Sequence, residues 1–260
     1  MSISKVWKLL FIGVLAIVSV LIAGFLYLYV FSDPEEEVSL EAAVAAISTS
    51  TSVSTATATA TATATTTATA TTTQSATADI TPDLILTGSW TLSNDKPSFV
   101  GYRVNEILVN TGEFTAVGRT SSVQGQLQFD GDSITEVEIS ADLTQLKSDN
   151  QYRDRALRRQ AIETNEFPTA TFRLADPIQV SDFSDGAAVV RSVVGELTLH
   201  GVTRDVTLEI AGELVEDTVV VVGSLDILFS DYEIDTPSSR SVVSIEDYGV
   251  MEFQLFFVKP

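Results

Sequence analysis

Four arginines fall within seven positions of the segment SDNQYRDRALRRQ, residues 148–160: Arg153, Arg155, Arg158 and Arg159. Guanidinium groups at that density grip phosphate or carboxylate, because each presents a planar fork of donors. They serve equally well as the wet face of a short helix. At about 100° per residue, Arg155, Arg158 and Arg159 share one face, whereas Arg153 points with Ala156 and Leu157 toward the apolar side. Three arginines therefore read as a solvated face. Arg153 reads either as an inward cation held by an acidic or backbone partner, or as a headgroup contact at the mouth of a binding site.

Two further constellations invite a chemical reading. His200, the sole histidine, sits in LTLHGVTRD before Gly201. Catalysis would need a nucleophile and an orienting acid beside it in space; the local residues fit a turn in which Gly201 takes positive φ. Asp231, Glu233 and Asp235 alternate in SDYEID, as on one face of a solvated strand. A calcium loop of the EF-hand type would want Gly at its sixth position and Glu at its twelfth, where this chain has Thr236 and Val242. No cysteine is present, so disulfides and thiol nucleophiles are excluded, and one histidine excludes a multi-histidine metal centre within one chain. The expectation is a protein without catalytic residues, metal or cofactor.

The elements that must position these residues fall into regions. Residues 1–8 read as a short cytoplasmic N-terminus. Leu9 to Phe31, LLFIGVLAIVSVLIAGFLYLYVF, carries no charge; as a helix it would span about 35 Å against a bilayer core of roughly 30 Å. Lys5 and Lys8 precede it and favour an N-terminus inside. The run is longer than the apolar core of a cleaved signal peptide and has no small-x-small site close behind it. It is expected to be an uncleaved single-pass anchor in the cell membrane, with the folded domain extracytoplasmic. Residues 32–82 become almost pure Thr, Ala and Ser after Ile47, with no large apolar side chain beyond Val53 until the segment's end. They read as a disordered linker. The formal net charge of −20 resides mostly in the region that follows. A surface that acidic repels nucleic acid.

Residues 83–260 alternate with period two, the mark of half-buried strands. Val123, Leu127 and Phe129 oppose Gln124, Gln126 and Gln128. Val137, Ile139 and Ala141 oppose Glu136, Glu138 and Ser140. Phe172 and Leu174, Val206 and Leu208, and Met251, Phe253, Leu255 and Phe257 repeat the pattern, and SFVGYRVNEIL sets Tyr102 in phase. Turn signals at 130–132, 184–186, 200–205 and 215–217 separate the runs. About eight antiparallel strands with a helical interruption at 150–165 suit either a barrel or a sandwich.

Several segments resemble the YceI-like family of polyisoprenoid-binding proteins: GSWTLSNDKPSFVGYRV at 88–104, AVGRTSSVQGQLQF at 116–129, LKSDNQYRDRALRRQAIETNEFPTATF at 146–172, VVGELTLHGVTRDVTLEI at 193–210 and FSDYEIDTPSSRSVVSIEDYGVMEFQL at 229–255. The resemblance implies an all-β, eight-stranded, lipocalin-like antiparallel barrel with a short helical insertion, holding an isoprenoid or other lipid and no catalytic machinery. Many members carry a His-Ser pair soon after the first Trp, where this chain has Lys96, Pro97 and Ser98. The lining it implies comprises Tyr102, Val123, Leu127, Phe129, Val137, Ile139, Phe172, Leu174, Leu197, Leu199, Leu208, Leu225, Ile227, Phe253 and Leu255, with Arg153 as headgroup contact. The expected function is a membrane-tethered lipid-binding protein; the competing reading is a structural or adhesive surface domain with a filled core. A homodimer is compatible with either.

Overall fold

The computed structural model describes residues 36–51, 86–183 and 186–260. The apolar run Leu9 to Phe31 and most of the 32–82 segment lie outside the described residues. Among the described residues, no helix is long and apolar enough to cross a membrane.

Among the described residues thirteen strands form one sheet: β1 (Gly88–Leu92), β2 (Phe99–Leu108), β3 (Gly112–Thr120), β4 (Val123–Asp130), β5 (Ser133–Asp142), β6 (Lys147–Ser148), β7 (Thr169–Leu174), β8 (Ile178–Gln179), β9 (Val189–Leu199), β10 (Val202–Val215), β11 (Thr218–Leu228), β12 (Val242–Ile245) and β13 (Tyr248–Val258). The order β1-β4-β5-β7-β9-β10-β11-β13 closes on itself because β13 also pairs with β1, through Thr91 opposite Val258 and Leu92 opposite Phe257. The architecture is therefore an eight-stranded antiparallel barrel rather than a sandwich. Closure leaves no open edge along that ring.

The hairpins follow from local chemistry. Leu199 pairs with Val202 across His200 and Gly201, with φ of 51° and 76°. Val215 pairs with Thr218 across Glu216, at φ 57°, and Asp217. Two-residue turns of positive φ match the right-handed strand twist.

The wall is not uniform along the axis. Strand β13 meets β1 at its C-terminal end and β2 along Val250–Gln254. Likewise β4 continues β3 after the break at Ser121 and Ser122, pairing with β1 where β3 pairs with β2. Beyond β5 the chain leaves the sheet through a single turn at Leu143–Gln145, and only the two-residue β6 continues the wall beside β3. Helix α2 (Gln151–Ala156) and its π-helical continuation Leu157–Ala161 follow directly.

Helix α1 (Leu40–Thr51) lies within the segment whose composition predicts an unstructured linker. Ser39 Oγ accepts the amide of Ala42 at 3.2 Å, starting the helix. Ala43 and Ile47, one turn apart, are buried against Val220, Val222 and Phe256. Those three residues point out of the barrel, which explains the run TVVVVG: β11 is apolar on both faces because both are covered.

The SDYEID segment departs from the expected strand. The chain turns through Phe229–Tyr232, Glu233 takes φ 55°, and the Ile234 amide returns to the Phe229 carbonyl at 3.0 Å. The three carboxylates consequently share no strand face; Asp231 instead pairs with Arg204 at 3.3 Å.

Candidate functional site: a two-chamber apolar interior

One end of the barrel is solid. Trp90 meets Phe129 edge-on at 5.9 Å between centroids, and Phe183 stacks on Phe129 at 6.3 Å. Trp90 Nε1–H donates to the Leu86 carbonyl at 2.7 Å, so the indole is satisfied as well as buried. Lys259 covers the outer side of that ring at 5.5 Å.

Toward the middle the packing loosens into a chamber of about 100 Å³ with no polar surface facing it. Beyond it lies an outer chamber of about 530 Å³, bounded by β2, helix α2 and the segment 234–242. Val100, Ala170 and Met251 line both and stand at the boundary between them. Inward glycines help to keep this interior from closing. Phe253 lies opposite Gly223 and Tyr102 opposite Gly118, and an added Cβ at either glycine would come within 2.6 Å and 2.4 Å of the ring. Phe172 lies over Gly195 in the same way, at 2.3 Å. The rings lie flat against the wall instead of standing into the axis.

The expected lining divides between the regions. Leu127, Val137, Ile139, Phe172, Leu197, Leu208, Phe253 and Leu255 surround the inner chamber. Tyr102, Leu199 and Ile227 border the outer one. Phe129 belongs to the aromatic plug, while Val123, Leu174 and Leu225 pack against the core without lining either chamber. The alternation turns Val100, Ala170 and Met251 inward, but the expected lining omits all three, and the segment 234–242, which has no period, is missed.

Arg153 is found in the wall of the outer chamber, half-buried where Arg155, Arg158 and Arg159 are exposed. Asn150 caps this helix by accepting the Tyr152 amide at 2.9 Å. Asp154 accepts the amide and hydroxyl of Ser148 at 2.9 and 2.7 Å, tying the helix to β6. Arg153 donates to Glu106, which is 7% exposed, and to Asp149, and its guanidinium lies 5.3 Å from the Phe114 ring. Burial by itself would lower the Arg153 pKa, but the hydrogen bond and charge of Glu106, together with Asp149, hold it above the ordinary value. The inward cation is thus paired with a carboxylate on β2.

Tyr102 is enclosed beside that pair. Burial pushes its phenol well above the ordinary 10, against the opposing pull of Arg153. Its hydroxyl makes no hydrogen bond. Ser148 lies near enough to temper the shift, yet donates its own proton to Asp154.

A second charged cluster lies on the other side of the same strands. Glu252, 1% exposed, receives Arg103 Nε at 2.7 Å on one oxygen and Arg119 Nη2 at 2.7 Å on the other. Arg119, Gly101 and Glu252 stand in one row across β3, β2 and β13. Gly101 is what lets Arg119 cross, since a Cβ there would meet Arg119 Cγ at 2.7 Å. The outward parity of these residues masks the cluster in the sequence, where each reads as solvated.

His200 is a turn residue with its ring buried. Its Nδ1 lies 2.9 Å from the Tyr232 carbonyl, its Nε2 is 3.3 Å from Glu163, and Phe167 meets it edge-on at 4.5 Å. These contacts join the β9–β10 hairpin to the chain after α2 and to the turn after β11.

The sequence profile of the YceI-like domain matches residues 32–257. The chain belongs to the YceI-like family. It is 30% identical over 140 residues to UPF0312 proteins of Vibrio campbellii and of Vibrio vulnificus, spanning 50% of this chain and 70% of each relative. Among solved structures, a polyisoprenoid binding domain from Saccharophagus degradans, implicated in plant cell wall breakdown, superposes with a TM-score of 0.53 at 18% identity. That match covers 66% of this chain and 98% of the other. At that identity the similarity establishes the fold. The YceI-like barrel thus has one plugged end, a narrow waist and a roomy mouth.

Proposed function

We propose that the protein is a membrane-tethered, extracytoplasmic carrier of an isoprenoid or similar amphiphile. The observation that carries the reading is the pair of adjacent, mainly apolar chambers at the unplugged end of the barrel, with Val100, Ala170 and Met251 between them. A chamber of about 100 Å³ is smaller than the ~150 Å³ that admits one benzene-sized guest, so it takes a chain terminus at most. The outer chamber falls within the ~300–1,000 Å³ range of ligand sites. The body of the amphiphile therefore lies in the mouth, with its tail reaching past Val100, Ala170 and Met251. Met251 suits such a throat, because an unbranched thioether repacks readily.

The polyisoprenoid named for the Saccharophagus degradans domain, together with membership of the YceI-like family, supports the ligand class. The uncharged run Leu9 to Phe31 and the lysines before it support the tether and its orientation. The alternative, a structural module with a filled core, is disfavoured by the open volume at the mouth.

The test is mass spectrometry of lipids extracted from the purified full-length chain, beside an Ala170→Leu variant that narrows the throat. The expected outcome is a copurifying long-chain amphiphile in the native protein, reduced about tenfold or more in the variant. A native protein that is always empty refutes the ligand. Alkaline extraction and protease accessibility in intact cells test the tether: release by alkali, or a protected domain, refutes that part.

A further inference from the structure

We infer that the open end of the barrel docks on an anionic lipid bilayer, with the chamber entrance facing the membrane. The inference rests on the lipid-carrier reading for its purpose, and on independent features of the rim for its geometry.

Large apolar side chains gather in the open at this end. Tyr152, 70% exposed, and Val109, 44% exposed, both border the outer chamber. Beside Val109 the rim continues through Ile107, 43% exposed, on β2 and Val243, 65% exposed, on the β12 strand paired with it. Isolated exposed apolar residues need no explanation, but Tyr152 and Val109 border the apolar cavity, and Ile107 and Val243 extend the apolar surface onto the outer face of the strands beside it. An amphipathic tyrosine and aliphatic side chains are what a lipid interface accepts.

The charge at the entrance selects the kind of surface. Arg155 and Arg159 also line the outer chamber, and Arg158 stands exposed beside them. Among the described residues none of these three makes an ion pair, whereas Arg153, Arg173 and Arg191 all do. Among the residues that line the chamber the acids are Asp235 and Glu106, the latter engaged by Arg153, and Glu113 stands opposite Ile107 on β3. In a chain of net charge −20, such cations are conspicuous. Acidic groups farther than about 8–10 Å away are largely screened at physiological salt, so the exposed Arg155, Arg158 and Arg159 set the charge on their own side of the entrance. Docking there would let an amphiphile pass between bilayer and chamber without crossing water.

The test uses the full-length chain reconstituted in vesicles of phosphatidylcholine with or without phosphatidylglycerol. Because the chain contains no cysteine, a Val243→Cys substitution gives a unique site for an environment-sensitive fluorophore. Val190→Cys serves as the comparison: Val190 is equally exposed, at 63%, but lies on β9 toward the plugged end. The expected result is blue-shifted emission, quenched by spin-labelled lipid, from position 243 and not from 190, stronger with phosphatidylglycerol. Charge reversal by Arg155→Glu with Arg159→Glu should reduce docking by at least about fivefold per arginine. A label at 243 as aqueous as that at 190 overturns the proposal. An occupied barrel with an aqueous rim refutes docking alone; a docked rim on a barrel that never yields amphiphile refutes the ligand reading and leaves the docking surface standing.

Discussion

The two ends of this barrel are built from the same alternating strands and come to opposite results. At the plugged end Trp90, Phe129 and Phe183 interlock, and Leu214, Val219 and Phe257 belong to the same buried core. At the mouth the sheet loses continuity after β5, and a short helix with a loop completes the wall. Closed hydrogen bonding around a ring fixes only the wall. What fills the ring depends on side-chain volume, and here on rings that lie over glycine at 118, 195 and 223. Stability is concentrated where the interior is full, and capacity where it is not.

The sharpest way to break the contrast is Phe129→Ala. The ring is fully buried, and deleting it should cost about 3–5 kcal/mol of unfolding free energy, measured by urea denaturation. A loss as small as that of a rim substitution would show that the plug is not the stable end.

Next in size is Arg153→Ala, which strands the Glu106 carboxylate in the chamber wall. Removing one partner of a buried pair costs about 3–5 kcal/mol. With Arg153 partly exposed, a loss of roughly 2–3 kcal/mol is expected, against less than about 0.5 for the exposed Arg158→Ala. Equal melting temperatures for the two variants would refute the assignment of Arg153 as the helix anchor.

Tyr102→Phe should act in the opposite direction. It removes a buried hydroxyl without a partner and should stabilise by about 1 kcal/mol. It should also change the alkaline limb. Because burial raises the folded phenol pKa, the unfolded phenol ionises first as pH climbs past about 10. The contribution of Tyr102 is therefore complete below that pH and is lost above it. Tyr232 shifts the same way by burial, so the variant should show a shallower loss above pH 10 rather than none. An unchanged slope in denaturation followed from pH 9 to 11.5 would contradict the enclosure of Tyr102.

The smallest effect is expected at the rim. Tyr152→Ala should change stability by less than about 0.5 kcal/mol, because the side chain is 70% exposed. A large loss would mean that the rim is part of the folded core.

Much of the wall was legible residue by residue. Period-two alternation marks β2, β4, β5, β7, β10 and β13, since each has one wet face. It is weaker for β3, whose GEFTAVGRT carries Arg119 and small residues, and for β9, where Val190 and Val194 expose apolar side chains outward. Helical spacing separated Arg153 from Arg155, Arg158 and Arg159, and only Arg153 has acidic partners. The helix Leu40–Thr51 was hidden because Ala, Ser and Thr make up most of it and continue after it. Its two buried anchors mean something only once Val220, Val222 and Phe256 are known to face outward beside it.

The sequence by itself determined which residues face in, where the hairpins turn, and that Arg153 must be paired, because each follows from a local period or a local turn geometry. The tertiary structure decided that Glu106 is that partner, that Glu252 gathers two arginines across three strands, and that the interior stays open at one end. Those outcomes depend on ring closure and on which side chains meet across it, and no single strand carries that information.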